Sequence, residues 1–111
     1  MNLTTQVVKV NVGLSLKDAQ ERFFSWHRAK KHAEKTIQHY LETFVDLDLW
    51  LTAAQKPKII GVLNSGSLEA FSRWLDETPI RGVWRGSTKR SITGLHGRMK
   101  DMRAFVRWCG V

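Results

Sequence analysis

Basic side chains that could bind anions are concentrated in two parts of this 111-residue chain, residues 22–39 and 81–107. Hydroxyl and imidazole side chains lie among these cations, so both stretches could bind phosphate oxygens or the edges of nucleotide bases. Cations that neutralise phosphates release condensed counterions, and the affinity then falls steeply with salt. The residues that we predict to make such contacts are Lys31, Lys35, Thr36, His39, Lys89, Arg90, Ser91, Thr93, His96 and Arg98.

Each of these features also has a simpler explanation. The cations could form a solvated surface that keeps the protein soluble, and Ser91 and Thr93 could cap a helix, a role that is compatible with phosphate contact. Gly94 and Gly97 either permit the close approach of a backbone or indicate that the regular helix begins after Lys89, and we favour the second interpretation. We favour contact with DNA over a merely solvated surface because the cations are concentrated rather than dispersed.

Other residues with reactive or stacking side chains are better explained as parts of a core. The four histidines have no metal-like spacing and no cysteine pair beside them, so we expect neither a metal site nor a cofactor. Cys109 lies on an apolar helical seam, which predicts a buried, inert thiol. Trp84 lies in a basic loop and could lie against DNA. The remaining tryptophans lie on apolar faces and are predicted to be core residues: Trp26, Trp50, Trp74 and Trp108.

The composition, 42% hydrophobic and 25% charged residues, is that of one ordinary globular domain. The formal net charge of +8 and the sequence pI near 10.2 favour a polyanionic partner, first nucleic acid and second an anionic membrane surface. No apolar run approaches the roughly 20 residues that span a bilayer, and the amino terminus lacks the pattern of a signal peptide. We therefore expect a cytoplasmic protein.

Apolar residues recur at helical spacing in four stretches, which predicts an all-α bundle of four helices. The first helix is predicted over residues 16–30, with Ser15 as its cap, and the second over residues 34–54. Residues 1–13 alternate without a helical period, so they are predicted to form an extended arm.

The second half of the chain is predicted to contain a connector and two more helices. Residues 56–66 should bury their apolar side chains as a loop, and either Ser65 or Ser67 should cap a helix that stops at Pro79. The last helix is predicted over residues 89–109. Its apolar seam consists of Leu95, Met99, Met102, Phe105, Val106 and Cys109.

Two stretches carry a resemblance to a known family: AEKTIQHYLETFVDLDLWL, residues 33–51, and RSITGLHGRMKDMRAFVRWC, residues 90–109. Together they resemble the core-binding domain of the tyrosine recombinases, the phage-integrase family, and the likeness covers residues 14–109. The matching positions are Thr36, Ile37 and Tyr40 in the second helix and Arg103, Ala104, Phe105 and Trp108 in the last helix.

The resemblance implies a SAM-like orthogonal bundle in residues 14–111 that clamps one face of duplex DNA. The turn before the second helix and the start of the fourth helix would approach the major groove and the phosphates. The amino ends of these two helices should therefore lie on the same side of the bundle. The positions that match are Lys35, Thr36 and His39 at the first place, and Arg90, Ser91 and Thr93 at the second.

The resemblance further implies a separate carboxy-terminal catalytic domain with a tyrosine nucleophile, which this chain does not contain. The fragment should then bind and position DNA for site-specific recombination or integration without being an enzyme itself. Its partners would be double-stranded DNA and other recombinase protomers in a synaptic complex, which places it at the nucleoid when bound. The alternative is a basic helical protein-interaction module that binds an acidic partner.

Overall fold

The computed structural model describes residues 14–78 and 92–110, with the side chains of residues 92 and 93 excepted. Its helices are α1 (Leu16–Ala29), α2 (Glu34–Ala53), α3 (Ser65–Glu77) and α4 (Ile92–Cys109), and a 3₁₀ turn covers Ile60–Val62. The prediction of an all-α bundle with four helices is confirmed, and α1 and α2 end within one residue of their predicted boundaries. The predicted arm over residues 1–13 and the loop that carries Trp84 lie outside the described residues.

Side-chain caps decide where two of the helices begin. The hydroxyl oxygen of Ser15 accepts a hydrogen bond from the backbone N–H of Asp18 at 3.1 Å, as the sequence predicted for α1. In α3 the cap is Asn64, whose side-chain oxygen accepts from the N–H of Ser67 at 2.9 Å. The prediction of Ser65 or Ser67 as the cap was wrong, because Asn64 has the extended backbone of a cap residue and both serines lie within the first turn.

The carboxyl ends of α1 and α2 share a conformation that is unusual for their residue types. Lys31 and Gln55, each the second residue after its helix, have φ angles of 58° and 56° in the left-handed region. Backbone bonds from His32 N–H to His27 O and from Lys56 N–H to Leu51 O close both ends as Schellman motifs, in which glycine is the usual residue. A side chain in this conformation costs about 1 kcal/mol, so both turns are locally strained.

Five rings from three helices form the centre of the core, and we call them the aromatic cluster: Phe23, Tyr40, Phe44, Phe105 and Trp108. Phe23 is their hub, with ring centroids 4.9 Å from Tyr40, 5.2 Å from Phe105 and 5.3 Å from Trp108. Most of these pairs meet edge to face, which is the favourable geometry for aromatic rings. The cluster therefore joins α1, α2 and α4.

The connector between α2 and α3 closes one end of the bundle. Ser15 and Ile59 form an antiparallel β-bridge, in which Leu16 N–H donates to the carbonyl oxygen of Lys58 at 2.9 Å. Ile60 and Leu63 are buried, so the prediction of a loop that inserts its apolar side chains is confirmed. All four tryptophans predicted as core residues are buried or pack against the core.

The seam of α4 faces inward as its spacing predicted. Met102, Phe105 and Cys109 are buried, and Leu95, Met99 and Val106 pack against the core. Burial raises the pKa of the Cys109 thiol to about 12, so the thiol stays protonated and unreactive near neutral pH.

One face of α2 carries large apolar side chains that the bundle leaves exposed. Leu41, Val45 and Leu49 are each at least 40% exposed and recur every four residues along one side of the helix. Leu41 and Val45 border a groove of about 410 Å³ between α1 and α2. Among the described helices, none is long and apolar enough to cross a membrane.

Candidate nucleic-acid interface

The predicted contact residues fall into three groups in the structure. Lys31, Lys35 and Thr36 are exposed at the turn from α1 into α2, and His96 is exposed on α4. His39, which is also exposed, bonds to α4, and Arg98, which is partly buried, bonds to α2. Of the other predicted residues, Lys89, Arg90 and Ser91 lie outside the described residues, and Thr93 belongs to α4 but its side chain is not described.

The first turn of α2 has no side chain that covers its amino end. Ala33 is the residue before the helix and offers no acceptor, so no side-chain cap is formed there. The amino end of a helix carries partial positive charge and N–H groups that bind anions. Lys35 adds a full charge in the same turn, whereas Glu34 offsets part of it.

Cations of the preceding turn rest partly on aromatic rings. The guanidinium of Arg28 lies 5.8 Å from the ring centroid of Phe24, and the ammonium of Lys30 lies 5.8 Å from that of Trp26. Such contacts restrict these side chains while leaving their charge at the surface. Together with Lys31, they make this turn a compact source of positive potential.

Between α2 and α4 lies a set of hydrogen-bonded polar side chains, which we call the polar network: His39, Thr43, Asp46, Arg98 and Asp101. Its best-defined part is the carboxylate of Asp101, a residue that is 8% exposed. One oxygen, Oδ2, accepts from the hydroxyl of Thr43 at 2.5 Å and lies 2.5 Å from Nδ1 of His39. Buried carboxylates are costly unless they are hydrogen-bonded in this way.

Arg98 forms the second part of the polar network. Its Nε donates to Oδ2 of Asp46 at 3.0 Å, and Asp46 is 1% exposed. Its terminal nitrogens lie 3.5 Å from Glu42 and from the hydroxyl of Thr43. The guanidinium charge is thus directed at carboxylates of α2 rather than at solvent, so the function proposed below does not rely on Arg98.

The two glycines of α4 lie inside the regular helix, which begins at Ile92. A Cβ placed on Gly97 would lie 3.4 Å from Cε1 of His39, so this glycine lies directly beneath the imidazole. Of the two interpretations of these glycines, close approach describes Gly97, although the partner is a side chain and not a backbone. The first halves of α2 and α4 therefore meet at this contact.

A second pair of histidines lies at the end of α1. Nδ1 of His27 and Nδ1 of His32 are 2.7 Å apart, so one of them donates and the other accepts. Burial, and then the neighbouring charge of His32, lower the pKa of His27 from its ordinary value of 6.5. Nε2 of His27 is buried and has no hydrogen-bond partner in the part of the chain that is described.

The hydroxyl groups in and beside the polar network are held in contacts that leave them protonated. Burial, with the charge of Asp101 as a second cause, raises the pKa of Tyr40, so its phenol stays protonated at neutral pH. The hydroxyl of Thr43 donates to the carboxylate and not to the imidazole of His39, so these three residues do not form a nucleophile–base–acid series. In the described ranges, no group of three or more His, Cys, Asp or Glu residues is placed to hold a metal ion.

Sequence reasoning missed the buried acids. Neither Asp101 nor Asp46 was predicted to be an interior residue, and both are buried. A signal was present, because Asp101 precedes Phe105 and Trp108 at helical spacing, as Asp46 precedes Trp50.

A scan of family models, a search of curated proteins and a search of solved structures each found no match to this chain.

Proposed function

We propose that this chain is a DNA-binding domain that contacts duplex DNA through the turn from α1 into α2. The observation that carries the proposal is the exposed pair Lys31 and Lys35 beside the uncapped amino end of α2. Thr36, in the same turn, adds a hydroxyl that can donate to a phosphate oxygen. The net charge of +8 supports a polyanionic partner.

The backbone of Lys31 offers a way to test the proposal. A lysine in the left-handed region is strained, and the backbone bonds that close α1 hold it there. Glycine at this position would relieve the strain but remove the charge. Gln55 has the same conformation at the far end of α2, and it provides a matched comparison.

The finer role follows from the resemblance to the core-binding domain of tyrosine recombinases. In that role the domain clamps duplex DNA and positions it for strand exchange by a catalytic domain of the full-length protein. Thr93 at the start of α4, together with Lys89, Arg90 and Ser91 before it in the chain, would supply the second set of contacts. The contact between His39 and Gly97 supports this arrangement, because it brings the first halves of α2 and α4 together.

Fluorescence anisotropy with a labelled duplex, at about 50 and about 200 mM salt, tests the proposal. We expect affinity to fall steeply between the two conditions, with a slope of about 0.9 in log–log form for each phosphate that is neutralised. Lys35→Glu should abolish most of the binding. Lys17→Glu changes the net charge equally but lies beside the groove between α1 and α2, so it should cost much less.

A second pair of variants separates binding from stability. Lys31→Gly and Gln55→Gly should each raise the free energy of unfolding by up to about 1 kcal/mol, because glycine adopts the left-handed conformation without strain. Only Lys31→Gly should weaken DNA binding. It should also lower the slope of the salt dependence by about 0.9, the value for one phosphate contact. Failure of the unaltered chain to bind duplex DNA at low salt would refute the proposal and leave an acidic protein partner as the alternative.

A further inference from the structure

His39 differs from the cations around it because its ring is held on two sides. Nδ1 lies 2.5 Å from Oδ2 of Asp101, and a Cβ on Gly97 would lie 3.4 Å from Cε1 and 3.5 Å from Nε2, yet 48% of the side chain remains exposed. The ammonium group of an exposed lysine has no fixed position, whereas the hydrogen-bonding atoms of this imidazole have a fixed orientation. A half-exposed ring fixed by a buried carboxylate is suited to reading a partner by geometry.

We infer that Asp101 is a positioning residue that holds His39 as a hydrogen-bond acceptor for a base edge of the bound DNA. This inference rests on the proposed function and assigns His39 a part in it that differs from phosphate binding. The chemical partner would be an exocyclic amino group in the major groove, N6 of adenine or N4 of cytosine, since these are the donors presented there.

For the neutral ring, hydrogen-bond chemistry decides between a phosphate oxygen and a base amino group as the partner of Nε2. A carboxylate only accepts, so Nδ1 of His39 must carry the proton that it shares with Asp101. In the neutral imidazole the other nitrogen, Nε2, is then an acceptor. Phosphate oxygens are acceptors too and would not bind it, whereas a base amino group would.

Thr43 makes the arrangement more rigid. Its hydroxyl donates to the same carboxylate oxygen that binds His39, so Oδ2 of Asp101 is held by two donors from α2. The position of the carboxylate is thereby fixed relative to the helix that carries the imidazole. The direction of Nε2 is set by α2 and α4 together.

The test begins by selecting preferred duplexes from a randomised library with the unaltered chain. His39→Asn then removes Nε2 while its amide can still donate to Asp101 from near the position of Nδ1. We expect this variant to lose about three- to tenfold of the discrimination at one A·T or G·C pair, with the salt slope unchanged. Lys35→Gln, as the control, should weaken all duplexes alike and lower the salt slope.

Asp101→Asn tests positioning separately, by nitrogen NMR of the His39 ring without DNA. In the unaltered chain we expect a protonated Nδ1 and an unprotonated Nε2, and in the variant a mixture of tautomers together with the same loss of discrimination. The inference is overturned if His39→Asn leaves discrimination intact, if it weakens all duplexes with a change in salt slope, or if Asp101→Asn alters neither readout. Those results would leave the proposed DNA-binding function intact. An unaltered chain that binds no duplex would instead refute both the inference and the proposed function.

Discussion

Two of the contacts that α2 makes within the bundle are built on different physical principles. In the aromatic cluster, rings from α1, α2 and α4 bury apolar surface, an interaction that depends little on direction. In the polar network, charges and hydroxyls from α2 and α4 meet at hydrogen-bond distance, and each contact has a required geometry. The first should supply most of the free energy of unfolding, and the second should fix how α4 lies against α2.

The largest expected effect comes from the hub of the aromatic cluster. Phe23→Ala removes a ring that is 2% exposed and touches the other four members, so we expect it to lower the free energy of unfolding by about 3–5 kcal/mol. Urea denaturation followed by circular dichroism measures this change. Leu49→Ala, at an exposed position on α2, is the control and should stay within about 0.5 kcal/mol. Equal losses in both variants would contradict the role assigned to the cluster.

In the polar network, removing one charge of a buried pair should lower the free energy of unfolding, and removing the second charge as well should restore part of it. Arg98→Met leaves the buried carboxylate of Asp46 without its guanidinium and should cost about 3 kcal/mol. The double variant Arg98→Met with Asp46→Leu removes both charges, and we expect it to be more stable than the single variant, because apolar pairs often replace buried ion pairs without loss. A double variant less stable than Arg98→Met would contradict this expectation and show that Asp46 stabilises the fold through contacts other than the guanidinium of Arg98.

The aromatic cluster could be predicted from the sequence, and the polar network could not. Phe44 and Phe105 lie on apolar stripes whose helical spacing identifies them as core residues before any contact is known. The partners in the network are 52 to 62 residues apart in the chain. The sequence around Thr43 and around Asp101 therefore contains no signal that the two residues will be in contact. The charge of Asp46 would predict an exposed residue. Asp46 is nevertheless buried, because it contacts the guanidinium of Arg98 on another helix.

The candidate contact surface was only partly predictable for the same reason. Exposure of Lys31 and Lys35 follows from their position in a basic turn with no apolar period. The left-handed backbone of Lys31 could not be predicted, because the residue is not a glycine or an asparagine, the types that usually adopt this conformation. The fixed imidazole of His39 could not be predicted either, since it depends on a carboxylate and a glycine of α4.

A smaller change tests how tightly the polar network is packed. A methyl group on Gly97 would lie 3.4 Å from the His39 ring, an ordinary van der Waals contact, so Gly97→Ala should fit. We expect it to raise the free energy of unfolding by up to about 1 kcal/mol, because alanine favours a helix interior over glycine. Gly94→Ala, at an exposed position of α4, should gain a similar amount without touching His39. Thermal denaturation that shows a loss only for Gly97→Ala would mean that the ring cannot accommodate the methyl group.

The smallest expected effect lies at the border of the aromatic cluster, where His27 packs against Phe23 at 4.4 Å between ring centroids. Because burial lowers the pKa of His27, the unfolded chain binds more protons than the folded chain as pH falls below about 6.5. The contribution of His27 to stability should therefore be full above that pH and decline below it, which urea denaturation at a series of pH values measures. His27→Phe keeps a ring and removes the proton site, so its free energy of unfolding should decline less at acid pH. An unchanged decline would assign the pH dependence to other groups and return His27 to a purely apolar role in the cluster.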